Sequence, residues 1–212
     1  METIKLPLTA TLTLTDQTPE QFTIESLKPK HKQMILSTQA EKYRNMPDQS
    51  QLAPATSEEL DLWLPGPHIN IGVINEPNQL LAYRAFTNPG ADATDNLGIG
   101  YVDTNELKNV WHTEIAFVAD QINGNKLQYG LTLLAMTLAF SQGMKYIMGT
   151  THPENAASKH NIIKSGIPII ESNVTKYGGL TRDIHLVQVT PQLIQSTHDK
   201  LEIVLNGWQV AY

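Results

Sequence analysis

Residues 111–145 read WHTEIAFVAD, then QINGNKLQ, then YGLTLLAMTLAFSQGMK. The first piece is a run of β-forming residues that carries one acid, Glu114. The second is a short polar turn around Gly124. The third has the apolar content and length of a helix of roughly four turns, at about 3.6 residues per turn. A strand, a tight turn and a helix start gather several backbone N–H groups at the positive end of a helix dipole. Such a point is an anion cradle, and phosphate is its usual guest.

Working outward, the chain before this stretch is strand-rich at its start. Glu2–Thr15 alternates, with Ile4, Leu6, Leu8, Ala10, Leu12 and Leu14 on one side, as a half-buried strand does. Pro7 favours an edge position for it. Phe22–Leu27 is a second short strand. A helix is predicted from about Lys30 to Asn45, and a shorter one after Thr56-Ser57-Glu58-Glu59, where hydroxyls precede acids. Ile69–Asn75 and Leu80–Phe86 read as a hairpin. Thr87–Asp103 is a long polar loop, either functional or a disordered excursion.

Beyond the central helix, Tyr146–Thr150 is a strand, and Ala156 to Ser165 a helix opened by Asn155 and stopped by Gly166. Ile167–Ser172 and Asp183–Val189 are further strands. The tail reads LEIVL, Asn206-Gly207, WQVAY, a pattern that predicts a terminal hairpin. Strand–helix–strand units favour parallel pairing in mid-sheet. The fold class is therefore α/β, a mixed central sheet with flanking helices, plus an extra N-terminal strand and C-terminal hairpin.

Composition narrows the function classes. Hydrophobic residues make up 41% and charged residues 17% of the 212, which predicts a folded core. There is no cysteine, which excludes disulfides, thiolate zinc sites and the zinc-deaminase reading of His112-x-Glu114. The net charge of −6 without a basic run argues against nucleic-acid binding. No basic start precedes an apolar core, and Leu131–Phe140 is far shorter than the ~20 residues of a membrane span. A cytoplasmic protein with no membrane partner is expected. A Walker turn and a full GxGxxG are both lacking. His152 and His160 stand apart with Pro153 between them, so no metal is expected.

At this point the residues resemble a family. The element order and the run VADQINGNKLQYGLTLLAMTLAFSQGMKYIMGTTHPENAASKHNIIKSGI are similar to the GCN5-related N-acetyltransferases (GNAT). Members carry an R/Q-G-x-G-x-G/A turn between the central strand and helix. Here it is Asn123-Gly124-Asn125-Lys126-Leu127-Gln128, with only the first glycine kept. HPENAASKHNIIKSGI resembles the family's second block. AYRAFTNPGADATDNLGIG and KYGGLTRDIHL resemble an uncharacterised bacterial branch. The resemblance covers about residues 22–190, and implies a single GNAT-like domain over 1–212 with 1–18 and 191–212 appended.

The resemblance implies acetyl-CoA as co-substrate and transfer of its acetyl group to a small-molecule or peptide amine. Its pyrophosphate would sit on the N–H groups of Asn123–Gln128, where Gly124 allows close backbone approach. Its pantetheine arm would run beside Phe117 and Val118, with a contact to Asn155. Lys126 stands where a glycine is usual; it would reach a phosphate or simply be a solvated lysine.

Glu114 is the candidate catalytic base. Lying in an apolar strand, it is expected to have a raised pKa, and it shares a face with His112 by period 2. Carbonyl polarisation would come from a backbone N–H, that of Val118. The family's tyrosine acid is replaced by Ile162, and Tyr177 is a possible substitute. Tyr83, Arg84, Tyr177 and Arg182 flank the acceptor side, and either arginine could hold an acceptor carboxylate. Met34, Met136 and Met148 read as core. The alternative is a non-catalytic acyl-CoA-binding or assembly protein, with a homodimer compatible with both.

Overall fold

The computed structural model describes residues 4–76, 78–91 and 94–211. Among the described residues, eight strands form one sheet. β1 (Leu8–Thr13), β2 (Pro19–Ser26), β3 (Ile69–Ile74), β4 (Leu80–Thr87) and β5 (Val110–Val118) follow one another antiparallel. β6 (Tyr146–Thr151) then pairs parallel with β5, and β8 (Leu180–Gln188) and β7 (Ile169–Lys176) complete the order as an antiparallel hairpin. The helices are α1 (Lys32–Asn45), α2 (Ser57–Trp63), α3 (Leu127–Phe140), α4 (Ala156–Lys164) and α5 (Pro191–Gly207). Among the described residues, no helix is long and apolar enough to cross a membrane.

The two faces of the sheet bury separate cores. On one, α3 and α5 cover Leu12, Ile24, Ile71, Ala82, Phe86 and Trp111. On the other, α1 and α2 bring Ile35 and Leu60 onto Tyr83, Ala85, Ile115 and Phe117. β3 and β4 are buried along their whole length because both faces are covered. α2 starts as its sequence predicts: Thr56 Oγ1 accepts from Glu59 N, and Glu59 Oε2 accepts from Thr56 N.

Two terminal expectations need revision. The N-terminal strand is shorter than Glu2–Thr15 and lies in the main sheet, at its edge; Glu2 and Thr3 fall outside the described residues. The expected C-terminal hairpin is a helix. Thr190 caps it through Leu193 N, Pro191 stands in its first turn, and Thr197, Leu201, Val204 and Leu205 form a buried helical stripe. Asn206-Gly207 ends this helix rather than turning a hairpin. Trp208 follows, buried against α3, and donates from Nε1 to Asn125 O at 2.8 Å.

Two local departures shape the site. β4 and β5 pair Arg84 with Ala116 but Phe86 with Thr113, so Glu114 and Ile115 together oppose Ala85. This is a β-bulge, which re-aims the side chains of a strand. It turns Ile115 and Phe117 toward the α1–α2 face, whereas Trp111 packs on the α3 face. The second departure lies between β5 and β6. Their pairing ends at Thr113 and Gly149, and beyond that the strands part. The strands expected at Ile167–Ser172 and Asp183–Val189 are one long hairpin, turned by Tyr177, Gly178 and Gly179, all at positive φ.

Candidate active site

A cleft of about 460 Å³ opens where β5 and β6 part. One end is lined by Val118, Asn123, Gln128, Asn155 and Ser158, and the other by Trp63, Glu114, Tyr177 and Arg182. It thus joins the start of α3 to the bulge in β5.

The turn into α3 has the geometry of an anion cradle. Gly124 has φ +92° and Lys126 φ +56°, so the chain reverses sharply before the helix. No side chain caps α3 and its first turn carries no acid. Among the described residues, the N–H groups of residues 124–129 find no acceptor. A Cβ on Gly124 would meet nothing within 4 Å, so the space beside it is open. Among the described residues, six free donors at a helix start offer what an anion such as a pyrophosphate accepts from. The side chains divide differently. Asn125 Oδ1 accepts from Thr13 N at 3.0 Å, and its Nδ2 donates to Thr13 O at 2.7 Å and Ile122 O at 2.9 Å. It ties β1 to the turn, so its side chain is committed within the fold. Leu127 is in the core, Lys126 and Asn123 are exposed, and Gln128 accepts from Asn161 Nδ2 at 2.9 Å.

Asn155 caps α4, its Oδ1 accepting from Ser158 N at 3.0 Å, and also lines the cleft. Phe117 and Val118 line it as well. Ile162, in α4, presents an apolar wall to it.

Glu114 sits on the front of the bulge. Thr87 Oγ1 donates to Glu114 Oε1 at 2.8 Å, and His112 Nδ1 lies 3.3 Å from the same oxygen. His112 Nε2 accepts from Leu97 N at 3.0 Å, so the ring proton is on Nδ1 and points at Glu114. This is what the 87–103 loop does. Asn96 anchors it to Gly90 O and Leu107 O, and Leu97 fixes the His112 tautomer; Asp92 and Ala93 lie outside the described residues. Burial works to raise the Glu114 pKa, but His112, Thr87 and Arg84 outweigh it and hold the carboxyl below its ordinary value. The expectation of a raised pKa is therefore corrected: neighbours that the bulge recruits override the apolar strand.

The acceptor-side residues separate. Tyr83 is fully buried behind the cleft, its hydroxyl donating to Asn70 Oδ1 at 2.7 Å, and cannot touch an acceptor. Arg84 lines the cleft but is engaged: its guanidinium donates to Thr113 Oγ1 and, at 3.4 Å, to the Glu114 carbonyl, and it lies over the Phe86 ring. Tyr177 is 51% exposed, with its hydroxyl 3.2 Å from Thr150 Oγ1. Arg182 is buried in the wall. Thr87 and Thr150 were not singled out by sequence, which weighs His152 only as a metal ligand. Only the period-2 face of Glu114 pointed to Thr87 and Thr150, and only once strand pairing is known.

Asp48, His152 and Glu154 bring ligand-type atoms within 4.8 Å of one another. Asp48 Oδ1 already accepts from Ser50 N and Oγ, and His152 Nδ1 from Glu154 N. Ser50 Oγ lies 3.3 Å from His152 Nε2, which ties the turn before α2 to the loop after β6.

No family model matches the sequence, and no curated protein matches it. Solved structures do match. A candidate acetyltransferase from Acinetobacter baylyi ADP1 shares 18% identity at a TM-score of 0.58, over 81% of this chain and 94% of that one. A GNAT-family acetyltransferase from Streptococcus pneumoniae gives 13% and 0.58, over 80% and 99%. A GNAT-superfamily phosphinothricin acetyltransferase from Sinorhizobium meliloti, solved in complex with AcCoA, gives 10% and 0.58, over 79% and 88%. At these identities the likeness establishes the fold. This chain has the acyl-CoA N-acyltransferase fold of the GCN5-related N-acetyltransferases, with a mixed sheet and flanking helices.

Proposed function

We propose that this chain moves an acetyl group from acetyl-CoA to the amine of a small molecule or peptide. The observation that carries this reading is the parting of β5 and β6 between an uncapped α3 start and the Glu114 bulge. The S. meliloti neighbour, solved with AcCoA, supports the choice of ligand.

Acetyl-CoA supplies an activated acyl group and a thiolate that leaves readily, since a thiol has a pKa of about 8.5. The chain's residues do the rest. The N–H groups of residues 124–128, with Lys126 beside them, bind the pyrophosphate. The unpaired edge of β5 at Phe117 and Val118 holds the pantetheine amides, and the Val118 N–H polarises the acyl carbonyl. Glu114 accepts a hydrogen bond from the amine and takes its proton as nitrogen bonds to the acyl carbon. His112 Nδ1–H and Thr87 Oγ1–H keep the carboxylate in place. Tyr177, on the cleft wall, returns a proton to the thiolate; Ile162 has none to give.

The second reading is an acyl-CoA-binding protein without catalysis. It is favoured by Ile162 and by Lys126 in the turn. Thiol release from acetyl-CoA with a panel of amines separates the two. Release matched by an N-acetylated product supports the enzyme, and binding without release supports the second reading.

A further inference from the structure

The cleft wall holds a cation that no carboxylate among the described residues contacts. Arg182 is 3% exposed, yet no carboxylate among the described residues comes within salt-bridge distance of it. Its Nη1 donates to the carbonyl of its own neighbour, Thr181, at 2.9 Å. Its Nη2 is buried and has no partner. A buried guanidinium with an unmade hydrogen bond is costly, and a positioned anion would relieve that cost.

Arg84, the other arginine of the cleft, differs in kind. Both of its terminal nitrogens are committed to β5, at Thr113 and Glu114, and only Nε is free. It serves the bulge. Among the described residues, Arg182 is committed only to the Thr181 carbonyl.

Strand register fixes where Arg182 lies relative to Glu114. Thr150 stands opposite Ile184, and Arg182 is two residues from Ile184, hence on the same face. Thr113 stands opposite Gly149, so Glu114 and Thr150 follow on that face too. Glu114 and Arg182 thus lie on one face two strands apart and offset by two residues along β8, more than about 10 Å from each other, with Tyr177 over Thr150 between them. One face therefore offers a carboxylate for an ammonium group and, two strands away, a guanidinium for an oxyanion.

Resting on the acetyl-transfer reading, we infer that the acceptor is an amine that also bears a carboxylate or phosphonate, bound through that group by Arg182 Nη2. The span favours amine and anion separated by several bonds over an α-amino acid. Carboxylate and phosphonate share the needed chemistry, an anionic oxygen to accept from the Nη2 hydrogens.

The test is calorimetric titration into protein saturated with coenzyme A. The ligands are glycine, β-alanine, 4-aminobutyrate, 6-aminohexanoate, 2-aminoethylphosphonate and the amides of the four carboxylates. Wild type should bind at least one anionic compound roughly 10- to 100-fold more tightly than its amide, the worth of one charge-assisted hydrogen bond. The better of carboxylate and phosphonate names the source. Arg182→Gln should erase that preference, while its coenzyme A affinity and melting temperature show that it still folds. Arg182→Lys should restore part of the preference. No binding by any anion, equal binding of amides, or a preference that survives in Arg182→Gln would overturn the inference. An anion preference without thiol release from acetyl-CoA would keep the anion site and sink the acetyl-transfer reading instead.

Discussion

Glu114 is surrounded by apolar strand residues and still stays ionised. The outcome turns on three polar neighbours: the Thr87 hydroxyl, the His112 N–H and the nearby Arg84 guanidinium. Sequence made the acid and its same-strand neighbour His112 visible but not the contacts with Thr87 and Arg84, because the β4–β5 pairing and the bulge at Ala85 decide which β4 side chains meet it. A carboxylate charged across the neutral range accepts a hydrogen bond from the neutral amine and takes its proton as nitrogen bonds to the acyl carbon. Glu114→Gln should lower kcat by roughly 100-fold or more, the usual worth of a general base. The acetyl-CoA affinity should hardly change, and parallel loss of both would make Glu114 structural. With the carboxyl held low, kcat at saturating amine should show no acidic limb near about pH 6 from this group. A limb there would mean that the pKa is raised after all.

At the scale of elements, the α3 turn and the α4 start were legible because caps, glycines and periodicity are local signals. The last helix was not, because Asn-Gly between apolar runs imitates a hairpin. The period of Thr197, Leu201, Val204 and Leu205 and the Thr190-Pro191 start were the signals against it. Its packing is testable at Gly130, where an added Cβ would lie 2.3 Å from Trp208 Cζ2 and 2.6 Å from Val204 Cγ1. Alanine in a helix normally gains up to ~1 kcal/mol over glycine. Here overpacking should win, and Gly130→Ala should lower stability by about 1–3 kcal/mol in urea unfolding. A stabilised variant would mean that α5 does not dock there. Gly124 makes the opposite case. Its added Cβ meets nothing, so Gly124→Glu should cost only the ~1–2 kcal/mol of a left-handed residue. Its new carboxylate should abolish acetyl-CoA binding, and retained binding would displace the cradle from this turn.

For the molecule as a whole, the sequence showed the mixed α/β order and hid the closure of the core. β1 joins the sheet, α5 covers α3, and the two termini meet where Thr9 bridges to Ala211. Such long-range pairing leaves no local pattern. One consequence of closure is a pH dependence. His31, His68 and His185 are all pushed below their ordinary pKa, first by burial. Each takes up a proton less readily in the fold than in the unfolded chain, where a histidine binds one near pH 6.5. The unfolded state takes up more protons below that pH, so stability is full above it and declines as pH falls. The urea midpoint should therefore drop between about pH 7 and pH 5.5, and an unchanged midpoint would contradict the lowering of these histidines by burial. The central claim, that the parted strands hold acetyl-CoA, is tested most directly by calorimetric titration of acetyl-CoA, with ATP as the control. One site with a roughly micromolar Kd, and no comparable heat with ATP, is the predicted result. No binding at millimolar acetyl-CoA would contradict it.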